Sequence, residues 1–350
     1  MARLLLPLAV ALLSAPATAG TMLVDFLDIG QGDAILVRHE NKAVLIDSGD
    51  RGSDTIKQLR ALGVDRIDLV VSTHPHADHI GRTEAILRAH PIGLYIDNGL
   101  AHTTATYRGV MTALDELQVP YEKARSGKVM RMGDHTSFTI LNPGEPPLSG
   151  TRSDLNSNSV VLQLDHQGDR FLFMGDAEEP TEHRLVREGL ERATVLKVAH
   201  HGSRHSTSPA FSKAVSPQVA VISVGVDNRY RHPAQSTIDR LRGLGAVVYR
   251  TDLSSNVRAI SSGHGVEVLE GSIYELGDGD SLLHPPGPST AVDAPPTPIV
   301  DEPKITPDKP SKAQLRAQRR ARRRAAKQAK KNPWPMESHP LPEGGMIIPR

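Results

Sequence analysis

The sequence predicts an α/β fold in four layers, two β-sheets face to face with helices on both outer surfaces. Three observations lead there. Strand-like and helix-like runs alternate from Thr21 to about Gly271. They fall into two series, one ending near Gln118 and one beginning near Ser159, with no solenoid-type repeat. Residues able to do chemistry gather directly after apolar strand-like runs in both series, as expected where helix-covered sheets present their strand ends.

The elements follow in order. Residues 22–29 read as a strand ending at Gly30-Gln31-Gly32-Asp33. Residues 34–38 and 43–46 read as the next two, turning at Glu40-Asn41. Ile56, Leu59 and Leu62 have helical spacing, so 54–62 is predicted helical, with Gly63 as its stop. A strand over 67–72 and helices over 80–89 and 107–118 complete the first series. In the second, strands over 160–164 and 171–174 pair through a turn near Gly168, and 181–188 is a helix. Strands over 195–199, 219–223 and 246–249 follow, with helices between them.

The two ends have a different character. Arg3, the apolar run 4–13 and Ala17-Thr18-Ala19 read as an export signal over residues 1–19. The expectation is a mature protein that is secreted or periplasmic. From about Asp280 the chain is Pro-rich and poor in aromatics, and 312–331 has no face to bury. The predicted organisation is therefore a signal over 1–19, one folded domain over 20–275 and a disordered tail over 276–350.

The chain carries 41 Lys and Arg against 40 Asp and Glu, a formal net charge of +1. Residues 312–331 hold ten of those cations and no acid; without them, 31 basic residues face 40 acidic ones. An acidic body with a detached basic tail is not a uniformly basic nucleic-acid binder. The tail is expected to contact anionic polymers. No cysteine is present, which excludes disulfides, thiolate ligands and a lipidated cysteine. No apolar run beyond the N-terminal one is long enough to form a membrane channel.

The strongest chemical signal is Thr73-His74-Pro75-His76-Ala77-Asp78-His79, directly after the strand 67–72. In extended chain His74 and His76 share a face and converge on one cation. Asp78 and His79, where a helix begins, face a second. Two cations a few ångströms apart suit hydrolysis. Further ligands should come from other strand ends. Asp176 follows 171–174 and is placed to bridge two cations, although Asp is also favoured in ordinary turns. His200-His201 follows 195–199, and such a tandem can divide labour between ligation and substrate contact. His232 lies beyond the strand 219–223. Asp47 closes the strand 43–46, where a carboxylate can accept the free N–H of a ligating imidazole. His39, His90 and His166 read as turn or surface residues without a role.

The ordered set 28–33 (Asp-Ile-Gly-Gln-Gly-Asp), 45–49 (Leu-Ile-Asp-Ser-Gly), the 74–79 cluster, Asn156-Ser157-Asn158-Ser159, Gly175-Asp176 and 197–203 (Lys-Val-Ala-His-His-Gly-Ser) resembles the metallo-β-lactamase superfamily. Within it the set is most similar to the hydrolase domain of the ComEC/Rec2 DNA-uptake proteins, which 228–233 also fits. The resemblance covers about 21–270 and implies an αββα sandwich with metals at one edge of the sheets. It implies two divalent ions, Zn²⁺ or Mn²⁺. His74 and His76 would hold the first, Asp78, His79 and His201 the second, and Asp176 both. His200 would face substrate. Asp33, Asp47, Asn156, Asn158, Ser203 and Asn228 would support the ligands or contact substrate. Asn156 and Asn158 stand where many members place a histidine, and an amide oxygen suits Mn²⁺ or Mg²⁺ better than Zn²⁺.

The expected function is a phosphodiesterase or nuclease acting on DNA or another phosphodiester through a metal-bound hydroxide. Asp78 or Asp176 would accept the proton of the attacking water, and His200 or His232 would serve the phosphoryl oxygen or leaving group. An ester, lactone or β-lactam hydrolase is the alternative enzyme. A DNA- or envelope-polymer-binding protein with a vestigial site is the non-enzyme alternative.

Overall fold

The structure is a computed structural model that describes residues 20–283 and 336–338. Strands β1 (Met22–Phe26), β2 (Ile35–His39), β3 (Lys42–Ile46), β4 (Ile67–Ser72), β5 (Ile92–Asp97) and β6 (Tyr121–Lys123) build the first sheet. Strands β7 (Lys128–Gly133), β8 (Thr136–Asn142), β9 (Val161–His166), β10 (Asp169–Phe173), β11 (Val195–Lys197), β12 (Val219–Ile222) and β13 (Val247–Arg250) build the second. The chain then returns to the first sheet with β14 (Asn256–Ser261) and β15 (Val266–Gly271), giving the order β15-β14-β1-β2-β3-β4-β5-β6.

Three apolar layers hold the sandwich together. Val24, Phe26, Val71, Phe138, Leu162 and Phe173 meet between the sheets. On the outer face of the first sheet, Leu59, Leu87 and Leu114 pack onto Leu45 and Val70. They come from helices α1 (Thr55–Ala61), α3 (Thr83–Ala89) and α4 (Ala105–Leu117), with the short α2 (Ala77–Ile80) preceding α3. Leu185, Phe211 and Leu241 cover Leu172 and Leu196 on the other side. β3 to β6 are parallel, as are β10 to β13. Strands buried on both faces read as continuous apolar runs, which is why β4 and β12 stand out in the sequence.

Six strands between residues 20 and 283 are absent from the sequence reading. β15 is an edge strand with no fully buried residue. β14 carries the buried Arg258, and β6 is three residues long. β7 and β8 form a hairpin of mixed polarity over 128–142, with β5 between two helices.

Buried charge closes the first sheet. Asp25 accepts from Arg258 Nε at 2.5 Å and from Arg38 Nη2 at 2.9 Å, and neither Asp25 nor Arg258 is exposed. Arg258 also donates to Leu276 O and Gly277 O, and Arg38 to Asp278 O. These bonds tie residues 276–278 to the domain, so the boundary expected at 275 lies further on, with a helical turn at Asp280–Leu283. Asp25→Ala leaves two buried guanidinium groups without a counter-ion. It should lower stability by about 3–5 kcal/mol in urea denaturation.

His39 and His166 are not surface residues. They end β2 and β9, 2% and 0% exposed, in edge contact at 5.0 Å between ring centres; His90 is buried too. Burial, reinforced by His39, pushes the His166 pKa down to about 4, although Asp169 opposes it. The unfolded chain takes up a proton near pH 6.5 that folded His166 refuses until about pH 4. Stability should therefore fall by about 3 kcal/mol as pH drops through that window. His166→Gln should remove this part of the pH dependence in denaturant titrations of chelated protein.

The second sheet ends in β16 (Met336–Ser338), antiparallel to β7 with Met336 opposite Met130. The expectation of disorder does not hold there: the open edge of β7 offers unpaired backbone groups that a short strand can satisfy. Residues 1–19 and the basic segment 312–331 lie outside the described residues. No helix among the described residues is long and apolar enough to cross a membrane.

Candidate metal centre

The loops after β3, β4, β10, β11 and β12 converge at the carboxyl ends of both sheets, the usual ligand position in such sheets. After Ser72 the chain bends at His74-Pro75, and His76, in extended conformation, caps α2, so Asp78 and His79 fall in its first turn. His74 Nε2 lies 2.9 Å from His76 Nδ1. Asp176 is the hub. Its Oδ2 is 3.8 Å from His74 Nε2 and 3.6 Å from His200 Nε2. Its Oδ1 is 3.3 Å from His79 Nε2 and 3.6 Å from His201 Nε2. Asp78 Oδ2 is 3.5 Å from His201 Nε2. The six residues assigned to the two metals thus come together.

Backbone geometry makes the convergence feasible. Gly32 has φ +132°, and a Cβ there would lie 2.1 Å from Asp78 O. The loop therefore presses directly on the backbone of α2, where Asp33 N donates to Asp78 O. His200 and His201 both adopt left-handed φ, 47° and 51°, a conformation sparse for side chains of this kind. Their rings diverge: His201 faces Asp176 and Asp78, whereas His200 Nδ1 lies 3.3 Å from Glu178 Oε1.

A second set of groups orients the first. Asp47 accepts from Thr73 N at 2.7 Å, Thr73 Oγ1 at 2.8 Å and His79 Nδ1 at 2.8 Å. His201 Nδ1 donates to Ser223 O at 2.9 Å. With both Nδ1 protons spent, the two Nε2 atoms face the oxygens of Asp176 and Asp78. His79 Nε2, His201 Nε2 and Asp176 Oδ1 are buried and have no hydrogen-bond partner. Imidazole lone pairs set against carboxylate oxygens require a cation, or protons on the rings. His74, His79 and Asp176 form one candidate triad and Asp78, His79 and His201 another, each with ligand atoms within 4.8 Å. This nitrogen-and-oxygen donor set fits divalent metal ions.

The electrostatics agree. Burial opposes charge on His201, but Asp176 and Asp33 outweigh it and raise its pKa to about 10. Burial likewise opposes charge on His79, and Asp176, Asp47 and Asp78 hold it well above the usual imidazole range. Burial, then His79, lowers His74 well below that range and His76 to a lesser degree. Burial would raise Asp33, but Lys197, with Nζ 2.7 Å away, brings it down to about 2.

The remaining residues named from sequence divide. Asn156, His200, Asn228 and His232 line a cleft of about 720 Å³ beside Asp78 and Asp176. Asn156 Oδ1 is buried without a partner. Two expectations need correction. Asn158 does not face the centre; its amide holds Leu148 N, Leu148 O and Asp154 O across a loop. Ser203 Oγ accepts from His205 N, and Ser203 O accepts from Ser206 and Thr237 hydroxyls, so it braces its own loop. In both cases the residue is spent on hydrogen bonds that hold its own loop.

Sequence reasoning passed over Glu178, Lys197, His102, Arg229 and Tyr230. Glu178 is 2% exposed and is held by Arg152 at 2.6 Å. Lys197 is a charge inside the apolar strand β11, a mismatch visible in the sequence. His102, Arg229 and Tyr230 line the cleft from loops with no strand signal of their own.

An αββα sandwich whose strand ends carry this donor set defines a metallohydrolase scaffold. The chain belongs to the metallo-β-lactamase superfamily, whose sequence profile matches residues 27–226, and it is a metal-dependent hydrolase of that superfamily. It is 32% identical over 257 residues to ComE operon protein 3 of Bacillus subtilis, covering 67% of this chain and 32% of that one. It is 33% identical over 255 residues to Competence protein ComA of Neisseria gonorrhoeae, covering 71% and 34%. With Recombination protein 2 of Haemophilus influenzae it shares 34% identity over 245 residues, covering 68% and 29%. The chain spans about a third of the length of these relatives.

Proposed function

We propose that this protein is an extracytoplasmic phosphodiesterase that cleaves nucleic acid, using two divalent ions, Zn²⁺ or Mn²⁺. The observation that carries this is the lining of the cleft. Beside the acidic ligands it carries hydrogen-bond donors on His200, His232 and Asn156, suited to phosphate oxygens. Similarity to competence proteins supports nucleic acid as the polymer.

His74, His76 and Asp176 would hold one ion, and Asp78, His79, His201 and Asp176 the other, with Asn156 Oδ1 beside the first. Such ions supply Lewis acidity and lower the pKa of a water molecule. The protein's own groups do the rest. Asp78, at the cleft wall, orients the attacking water and accepts its proton. Burial, helped by His200 and His201, brings His232 down to about pKa 4. It is therefore neutral at pH 7 and donates a hydrogen bond to a phosphoryl oxygen. His200, set by Glu178, points Nε2 towards Asp176 and the leaving-group side. The ten cations of 312–331 would capture the polymer through its phosphates, with strong salt dependence.

The test is purified protein, chelated and reloaded separately with Zn²⁺ or Mn²⁺, assayed on bis-p-nitrophenyl phosphate, single-stranded DNA and nitrocefin. Phosphodiester turnover that disappears in His76→Ala supports the proposal. Turnover of nitrocefin alone would make the protein a lactam hydrolase, and DNA retention without turnover under either metal would make it a binding protein. Replacing the ten tail cations with glutamine should raise KM for DNA more than for the small diester. Export predicts an N-terminus at Gly20 in protein recovered from outside the cytoplasm.

A further inference from the structure

Arg229 and Tyr230 stand at the rim of the cleft in an arrangement that the metal centre does not require. Their loop is braced rather than loose. Asn228 Nδ2 donates to Gly225 O and His232 O, and Asn228 Oδ1 accepts from His232 N. Asp227 and Arg231 turn the chain with φ 52° and 56°. Gly225 N donates to Gln31 Oε1, pinning the loop to the neighbouring sheet.

On this base the side chains form a ladder. His232 packs edge-on against His200 at 5.6 Å, and Tyr230 stacks on His232 at 5.9 Å and 19°. The Arg229 guanidinium sits over the Tyr230 ring at 4.8 Å and donates to its hydroxyl at 2.6 Å. The phenol oxygen is thus an acceptor for arginine, and among the described residues its own proton has no acceptor. The remaining guanidinium N–H groups and this O–H make a forked donor pair, the geometry that suits a phosphate oxyanion. Tyr230 is 49% exposed, and the His232 ring links it to His200. This rim position suits a phosphate next to the one beside His200.

We propose that Arg229 and Tyr230 form a subsite for the phosphate next to the scissile one, so that the cleft selects a polynucleotide strand over an isolated phosphodiester. The proposal rests on the phosphodiesterase reading and adds the feature that sets substrate length. An arginine lying on an exposed tyrosine is otherwise ordinary surface packing, and the experiment separates the two.

Wild type, Arg229→Ala, Arg229→Lys and Tyr230→Phe are compared on bis-p-nitrophenyl phosphate and a single-stranded ten-residue oligothymidylate. Matched metal content and Tm establish that each variant is folded. Arg229→Ala should lower the ratio of kcat/KM for the oligonucleotide to that for the small diester about tenfold. It should also reduce the log–log salt slope for the oligonucleotide by about one, as loss of one phosphate contact requires. Arg229→Lys, which keeps the charge but not the fork, and Tyr230→Phe should fall between. An unchanged ratio and salt slope in Arg229→Ala would overturn the subsite. Chelated protein titrated into fluorescein-labelled oligothymidylate gives an independent reading by anisotropy. Weaker binding by Arg229→Ala supports the subsite, and equal Kd overturns it. If wild type cleaves neither substrate with either metal, the phosphodiesterase reading fails, and the anisotropy comparison still decides the subsite.

Discussion

Asp176→Asn lowers kcat/KM for bis-p-nitrophenyl phosphate by about a thousandfold or more, and the purified variant retains less metal than wild type. This carboxylate touches four imidazoles, those of His74, His79, His200 and His201. It reaches them from the second sheet, whereas His74 and His79 follow β4 of the first. Asparagine keeps the shape and removes the charge, so the variant should fold while losing the anion that joins the two halves of the centre. A thousandfold loss corresponds to about 4 kcal/mol of transition-state stabilisation. Metal analysis beside the kinetics separates loss of the ion from loss of chemistry. Wild-type stoichiometry with wild-type turnover would remove Asp176 from the centre.

Chelation lowers the melting temperature by on the order of 10 °C, and readdition of Zn²⁺ or Mn²⁺ restores it. Asp33, Asp47, Asp78 and Asp176 are crowded together, and three of them are almost fully buried. Lys197 is the cation that pairs with Asp33. A ligand at a thousand times its Kd stabilises the folded state by about 4 kcal/mol. For a domain of this size each kcal/mol moves Tm by roughly 2–4 °C. Differential scanning fluorimetry with and without chelator measures the shift. His79→Ala should abolish most of it, because that ring belongs to both candidate triads.

Much of the fold was legible because the central strands are buried on both faces and leave uninterrupted apolar runs. The half-exposed edges were not, since β7 and β15 are nearly as polar as loops. The centre was legible in proportion to local density. Four ligands in six residues announce themselves, and Asp176 and His201 follow strands. Glu178 carries no such signal, because it acquires meaning only from Arg152 and His200, distant in sequence; Arg229 lies in a loop with no strand directly before it. The failure at Asn158 and Ser203 has the same root. Spacing places a residue near a site, but only the local backbone turn decides whether its side chain enters or is spent on bracing the loop.

The pairing of β1 with β14, Met22 opposite Ser261, has a consequence for the timing of activity. Every ligand from 74 to 201 is synthesised well before Asn256–Ser261, yet the first sheet lacks its closing strand, and Asp25 its Arg258, until that segment emerges. At roughly 5–20 residues per second, the interval between the first strand and its partner is on the order of tens of seconds. For the part of it that follows His201, the full ligand set exists without the frame that aligns it. The centre of a growing chain is thus held in reserve, and it is framed when β14 arrives rather than when the last ligand does.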